Sequence, residues 1–394
     1  MSQPNWKPET LAIRLQTERS QHREHAVPMF NTSSFVFDDA EQMRALFADE
    51  YEGNIYSRFS NPNGREFEMK MAMLEGAEDG YATASGMAAV YASFAGLLSS
   101  GDHILASRAL FGASHAVLTQ ILPRFGISST LADPLDMASW EVLIQPNTKM
   151  IFVETPSNPG LALVDLEVVG NIARKHGLIL NVDNCFATPY LQNPVKFGAQ
   201  LVTHSATKFI DGQGRVVGGV VVGQADLIAG IRKFCRQTGP SIAPFNAWVL
   251  SKSLETLHVR MDRHCASALQ LAQRLQDHPE LLQVNYPFLP SHPQYEIAQK
   301  QMKLGGGLVT FEVKGGLARG TRFLDQLQML SLSANLGDSR SIATHPASST
   351  HAKLTEEQRQ EVGITAGLVR VSVGLEHIND IIADIVQALE ASKG

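Results

Sequence analysis

From about residue 60 to 225 the apolar positions switch repeatedly between a period near 3.6 and short unbroken runs: GMAAVYASFAGLL then HILAS, ASHAVLTQILPRF then ISSTLAD, MASWEVLIQ then KMIFVET, LEVVGNIARKH then LILNVD. The first pattern suits helices with one buried stripe, and the runs suit strands covered on both faces. Their alternation predicts βαβ units around a mostly parallel sheet.

Two more apolar strands are expected at 201–207 (LVTHSAT) and 216–223 (VVGGVVVG). Helical stretches over 225–277, interrupted by PSIAP at 240–244, lead toward a second α/β unit containing GLVTFEV, the helix-like RFLDQLQML at 322–330, LVRVSVG and the amphipathic HINDIIADIVQALEAS. The first 55 or so residues show no sustained period and read as an arm that needs another surface, such as a second subunit, to pack on. The expected organisation is an arm over 1–58, a large sheet domain over 59–254 and a smaller C-terminal α/β domain over 255–394.

Composition narrows the class. With 394 residues, 44% hydrophobic and 18% charged, the chain can bury a large core and is neither disordered nor fibrous. A net charge of -6 offers no global attraction for phosphate backbones or acidic lipid, so neither nucleic acid nor membrane is an expected partner. No apolar run reaches the length of a membrane span, and no leader pattern precedes the arm. Cys185, Cys235 and Cys265 are odd in number and widely spaced, which suits reduced thiols and a cytoplasmic location.

Several strong motifs are missing: GxxxxGK[ST], HExxH, GxSxG and an EF-hand loop. The GQGRVVGG cluster at 212–219 precedes a strand, not a helix, and fails as a dinucleotide fingerprint on context. His22 and His25 lack partners at ligand spacing, and no metal is expected.

The informative chemistry lies at strand ends. LILNVD ends in Asp183, and LVTHSATK runs through Ser205 and Thr207 to Lys208. In open α/β sheets ligands gather at the carboxyl ends of strands, so this acid and this amine can face one bound molecule. Ser85-Gly86-Met87 opens an apolar helix, whose free amides and positive dipole end suit an anion.

These residues, together with ETPSNP at 154–159, YSRFSNPN at 56–63 and VRVSVGLE at 369–376, resemble the Cys/Met metabolism family of pyridoxal-phosphate-dependent enzymes, with matching features from about residue 20 to 390. The resemblance implies an α/β fold of type I, like aspartate aminotransferase, with a large mostly parallel sheet domain and a smaller C-terminal one. It implies that Lys208 holds pyridoxal 5'-phosphate as a Schiff base, that Asp183 pairs with the pyridine nitrogen, and that Asn158 lies near the ring hydroxyl. Ser85, Gly86 and Met87 with Ser205 and Thr207 would hold the phosphate, reached by Tyr56 and Arg58 from a neighbouring subunit. Arg370 would bind the substrate α-carboxylate, with Asn335 beside it. A homotetramer with shared active sites follows from the same resemblance.

Three departures from the usual family pattern bear on the reaction. The ring-stacking position, usually Tyr, is Phe111, which stacks but cannot donate a proton. Ala113 stands where lyases often carry Cys, and Asn335 where relatives often have Ser, while NPNG replaces a more usual NPT. A thiolate leaving group benefits from protonation; a carboxylate leaving from an O-acyl ester departs without it. The missing hydroxyl therefore favours an O-acylhomoserine substrate, and within the family the overall pattern, including FCRQTGPSIAPFNAWVLSKSLETL at 234–257, resembles the O-succinylhomoserine sulfhydrylases, which replace succinate by sulfide. Cystathionine γ-synthases, O-acetylhomoserine sulfhydrylases and methionine or cystathionine γ-lyases are the alternatives. The expected partners are small molecules, an O-acylhomoserine and sulfide.

Overall fold

The computed structural model describes residues 6–353, 355–361 and 363–393. Seven strands form the larger sheet: β1 Asp79–Thr83, β2 His103–Ser107, β3 Ser128–Ala132, β4 Thr148–Glu154, β5 Ile179–Asp183, β6 Leu201–Ser205 and β7 Gly219–Gly223. Their order is β1-β7-β6-β5-β4-β2-β3, and β7 alone runs antiparallel to its neighbours, so the sheet is mostly parallel as the alternating pattern predicts. Met150, Ile151, Phe152 and Val153 in β4 are all fully buried, which is why that run shows no alternation.

The crossover helices are cut by local chemistry. In helix Leu166–His176 the Asp165 carboxylate caps the Glu167 and Val168 amides, Arg174, Lys175 and His176 occupy the last turn, and Gly177 stops it in a left-handed conformation.

A second sheet, in the order β10-β11-β12-β9-β8, comprises β8 Leu281–Asn285, β9 Leu308–Val313, β10 Ser331–Leu332, β11 Ile342–Thr344 and β12 Leu368–Ser372. Helix Leu257–Leu275 ties the two together: Leu257, Met261 and Cys265 pack into the core of the large sheet, and Ala268, Leu271, Ala272 and Leu275 into that of the small one.

Several expected elements differ in detail. Residues 137–143 form two short 3-10 turns instead of a helix. The strand expected over 216–223 is shorter, with β7 starting at Gly219. The helix read at 322–330 is Gly316–Asp325. It stops early because Asp384 accepts the backbone N–H groups of Gln328, Met329 and Leu330, drawing that segment out of helical geometry.

Candidate active site

The carboxyl ends of the central parallel strands converge on one crevice. β6 ends at Ser205 and a turn carries Lys208 just beyond it, β5 ends at Asp183, and β4 ends at Glu154. Helix Gly86–Ala95 arrives with its N-terminus against the same place. A Cβ at Gly86 would lie 2.5 Å from Ser205 Cβ and 2.8 Å from Ser205 Cα, so only glycine lets the helix start come this close to β6.

That approach builds an anion cradle. Ser85 Oγ accepts the Ala88 amide at 3.1 Å as an N-cap, while the Gly86 and Met87 amides have no acceptor among the described residues. The Ser205 hydroxyl lies beside them, and the Thr207 hydroxyl accepts the Gly218 amide at 3.1 Å on the adjoining turn. Free amides, a helix dipole and a hydroxyl suit a phosphate.

Asp183 is in the crevice without an ion-pair partner among the described residues, its Oδ1 accepting only the Cys185 amide at 3.1 Å. Burial raises its pKa to about 6 despite the favourable field of His204. Such a carboxylate is poised to receive a cationic ring nitrogen. Lys208 Nζ donates to Asn335 Oδ1 at 2.7 Å, and burial with the repulsion of Arg370 lowers its pKa, which favours the nucleophilic neutral amine. These groups together fit pyridoxal 5'-phosphate: an amine for its aldehyde, an anion for its nitrogen and a cradle for its phosphate.

Arg370, 4% exposed, sits in the centre of the small sheet with Thr344 and Thr310 as its register neighbours. Its Nη1 donates to Asn158 Oδ1 at 2.8 Å, its Nη2 to the Asn335 carbonyl at 3.1 Å and to Thr344 Oγ1 at 3.3 Å, and its Nε has no partner. Burial lowers its pKa to about 10. A buried guanidinium held only by neutral groups is arranged for an anionic ligand. Lys208 and Arg370 thus meet at one residue, Asn335, whose side chain takes the amine and whose carbonyl takes the guanidinium.

Phe111 is 44% exposed and caps helix Gly112–Ala116 at the rim. Tyr56 and Arg58 lie on the arm, where the Arg58 guanidinium stacks 4.6 Å over the Phe59 ring and bonds the Arg236 carbonyl, so within one chain they do not join the Lys208 cluster through these contacts. Sequence reasoning misses Glu154, although a glutamate closing the apolar run MIFV is a visible signal; it accepts the Phe111 and Asn158 amides. His351 was also passed over. Its Nδ1 bonds Thr350 Oγ1 at 2.9 Å, and burial lowers its pKa, with nearby Arg370 adding to the shift. Among the described residues, no group of three or more His, Cys, Asp or Glu could hold a metal ion.

Residues 9–390 match the family described as Cys/Met metabolism PLP-dependent enzyme. The chain is 48% identical over 383 residues to the O-succinylhomoserine sulfhydrylase of Pseudomonas aeruginosa, covering 97% of this chain and 95% of that one. It is 44% identical over 369 residues to the L-methionine gamma-lyase of Porphyromonas gingivalis, covering 93% and 92%. A Campylobacter jejuni crystal structure, titled as an O-acetylhomoserine (thiol)-lyase candidate carrying pyridoxyl-lysine-monophosphate, superposes with a TM-score of 0.94 at 36% identity, covering 98% of this chain and 100% of that one. With a strand-end lysine, a half-buried acid free of ion pairs and an anion cradle in one crevice, the chain belongs to the Cys/Met metabolism family of PLP-dependent enzymes, and its cofactor is pyridoxal 5'-phosphate.

Proposed function

We propose that this enzyme is an O-succinylhomoserine sulfhydrylase, replacing succinate at Cγ by sulfide to give L-homocysteine for methionine biosynthesis. The observation that carries the choice is Phe111 at the rim of the crevice, followed by Gly112 and Ala113: none of these three side chains offers a hydroxyl or thiol to protonate a departing thiolate. A succinate leaving group needs no such proton. The 48% identity to a sulfhydrylase supports the same reading, and the 44% identity to a methionine γ-lyase makes elimination the second one.

Lys208 would hold the cofactor, Asp183 its ring nitrogen, Phe111 its ring face, and Ser85, Gly86, Met87, Ser205 and Thr207 its phosphate. When bound, the cofactor supplies an electron sink for charge developing at Cα. Arg370, backed by Asn158 and Asn335, fixes the substrate α-carboxylate, which orients the Cα proton toward Lys208. The Lys208 amine, its pKa lowered by burial and freed when the substrate amine takes its place, would take that proton and return one as product forms. Phe111 shields the reacting face from water.

A homotetramer with Tyr56 and Arg58 completing a neighbour's site accounts for the arm, where Val36 is 99% exposed and Met43 and Phe47 are also bare. A cytoplasmic location fits three free, buried cysteines.

The test is to offer the holoenzyme O-succinylhomoserine or O-acetylhomoserine, each with sulfide or cysteine, and L-methionine alone, and to identify products by mass spectrometry. Homocysteine and succinate should form fastest. Faster formation of cystathionine, or of 2-oxobutanoate from methionine, would overturn the assignment.

A further inference from the structure

Glu154 ends β4 directly in register with Asp183 at the end of β5, and it is 3% exposed. Its Oε2 accepts the Phe111 N–H at 2.7 Å and its Oε1 accepts the Asn158 N–H at 3.0 Å. Asn158 in turn accepts Arg370 through Oδ1. No ion pair relieves the carboxyl among the described residues, and both burial and the neighbouring Asp183 push its pKa well above the usual range.

Such a placement is expensive if amide capping is all it achieves, because a backbone carbonyl or a neutral side chain could accept these hydrogens without setting a second acid beside Asp183. What the carboxyl does uniquely is present two acceptor oxygens on one rigid plane. One holds the turn carrying the aromatic residue at 111, the other the turn whose Asn158 side chain holds Arg370. We propose that Glu154 is a positioning residue that fixes, from a single buried group, both the aromatic cover of the cofactor and the carboxylate-binding arginine of the substrate site. The inference rests on the reading of Phe111 and Arg370 in those two roles.

Its signature is non-additivity, which a merely structural carboxyl would not produce. Two ligands report the two arms: pyridoxal 5'-phosphate titrated onto apoprotein, and glycine titrated onto holoenzyme and followed by its absorbance change. Glu154→Ala should weaken each by about tenfold, the scale of one lost buried hydrogen bond. In a Phe111→Ala background the cofactor effect should largely disappear while the glycine effect persists. In an Asn158→Ala background the glycine effect should disappear while the part of the cofactor effect that depends on Phe111 persists. If Glu154→Ala does not fold, Glu154→Gln, which keeps the volume and one acceptor oxygen, should show the same dependence on background at smaller amplitude. Equal effects in all backgrounds would overturn the proposal. Phe111→Ala that leaves cofactor affinity unchanged, or Asn158→Ala that leaves glycine affinity unchanged, would instead overturn the site roles beneath it, and the proposal with them.

Discussion

Arg370 and Asn158 join the two sheets at the active site: the guanidinium of the central strand of the small sheet donates at 2.8 Å to the side chain just past the end of β4 in the large one. In the proposed role of Arg370, substrate carboxylate binding would sense how the sheets sit together. Arg370→Ala should cut kcat/KM by about 10²-fold or more, mostly through KM, because it removes a buried charged donor. Arg370→Lys should recover little, since one ammonium cannot serve Asn158, Asn335 and a carboxylate in a planar fork. Steady-state kinetics of both variants measure this.

Lys208 is the amine expected to carry the cofactor, so borohydride reduction of the yellow holoenzyme should fix a pyridoxyl group on the peptide containing it. Mass spectrometry that finds the adduct elsewhere would refute the assignment. Lys208→Ala should lose at least about 10²- to 10⁴-fold in turnover, the usual worth of a positioned base.

Asp183, raised by burial to about 6, gives cofactor binding a pH dependence. Above this value the carboxylate is ionised and attracts a protonated ring nitrogen; as pH falls through it, Asp183 takes a proton and the attraction is lost. Cofactor affinity should thus fall by up to about tenfold per pH unit below 6 from this group. The cofactor's own phosphate titrates in wild type and in Asp183→Asn alike, so the difference between their titrations of apoprotein from pH 8 to 5 isolates the Asp183 contribution.

Phe111→Tyr restores a hydroxyl at the rim. It should raise cleavage of cystathionine or methionine more than it raises O-succinylhomoserine turnover, as read from kcat/KM for both reactions in both proteins. An equal or opposite change would show that Phe111 does not set leaving-group preference.

Arg58 makes contacts in this chain with Tyr56, Phe59 and Arg236, and its proposed partner is a cofactor phosphate held by a neighbouring subunit. Mixing inactive Arg58→Ala with inactive Lys208→Ala protein under conditions of subunit exchange should regain part of the activity, since some hybrid sites hold both wild-type residues. No regain after demonstrated exchange would refute shared sites.

Local order along the chain already determined the parallel sheet, through buried runs such as MIFV in β4 alternating with amphipathic helices, and it placed Asp183, Ser205, Thr207 and Lys208 at strand ends where ligands gather. Those residues are legible because each stands out against an apolar neighbourhood within a few positions. The strand order was not legible, and it decides what meets what: Gly86 reaches Ser205, Glu154 lies beside Asp183, and Asn335 lies between Lys208 and Arg370 only after segments far apart in sequence have packed. The helix that ends at Asp325 makes the same point, since the carboxylate that takes its next amides is Asp384. Periodicity reports which face of an element is apolar, but the partners of a buried polar group are set by tertiary packing, because burying such a group is tolerated only where distant donors and acceptors arrive to satisfy it.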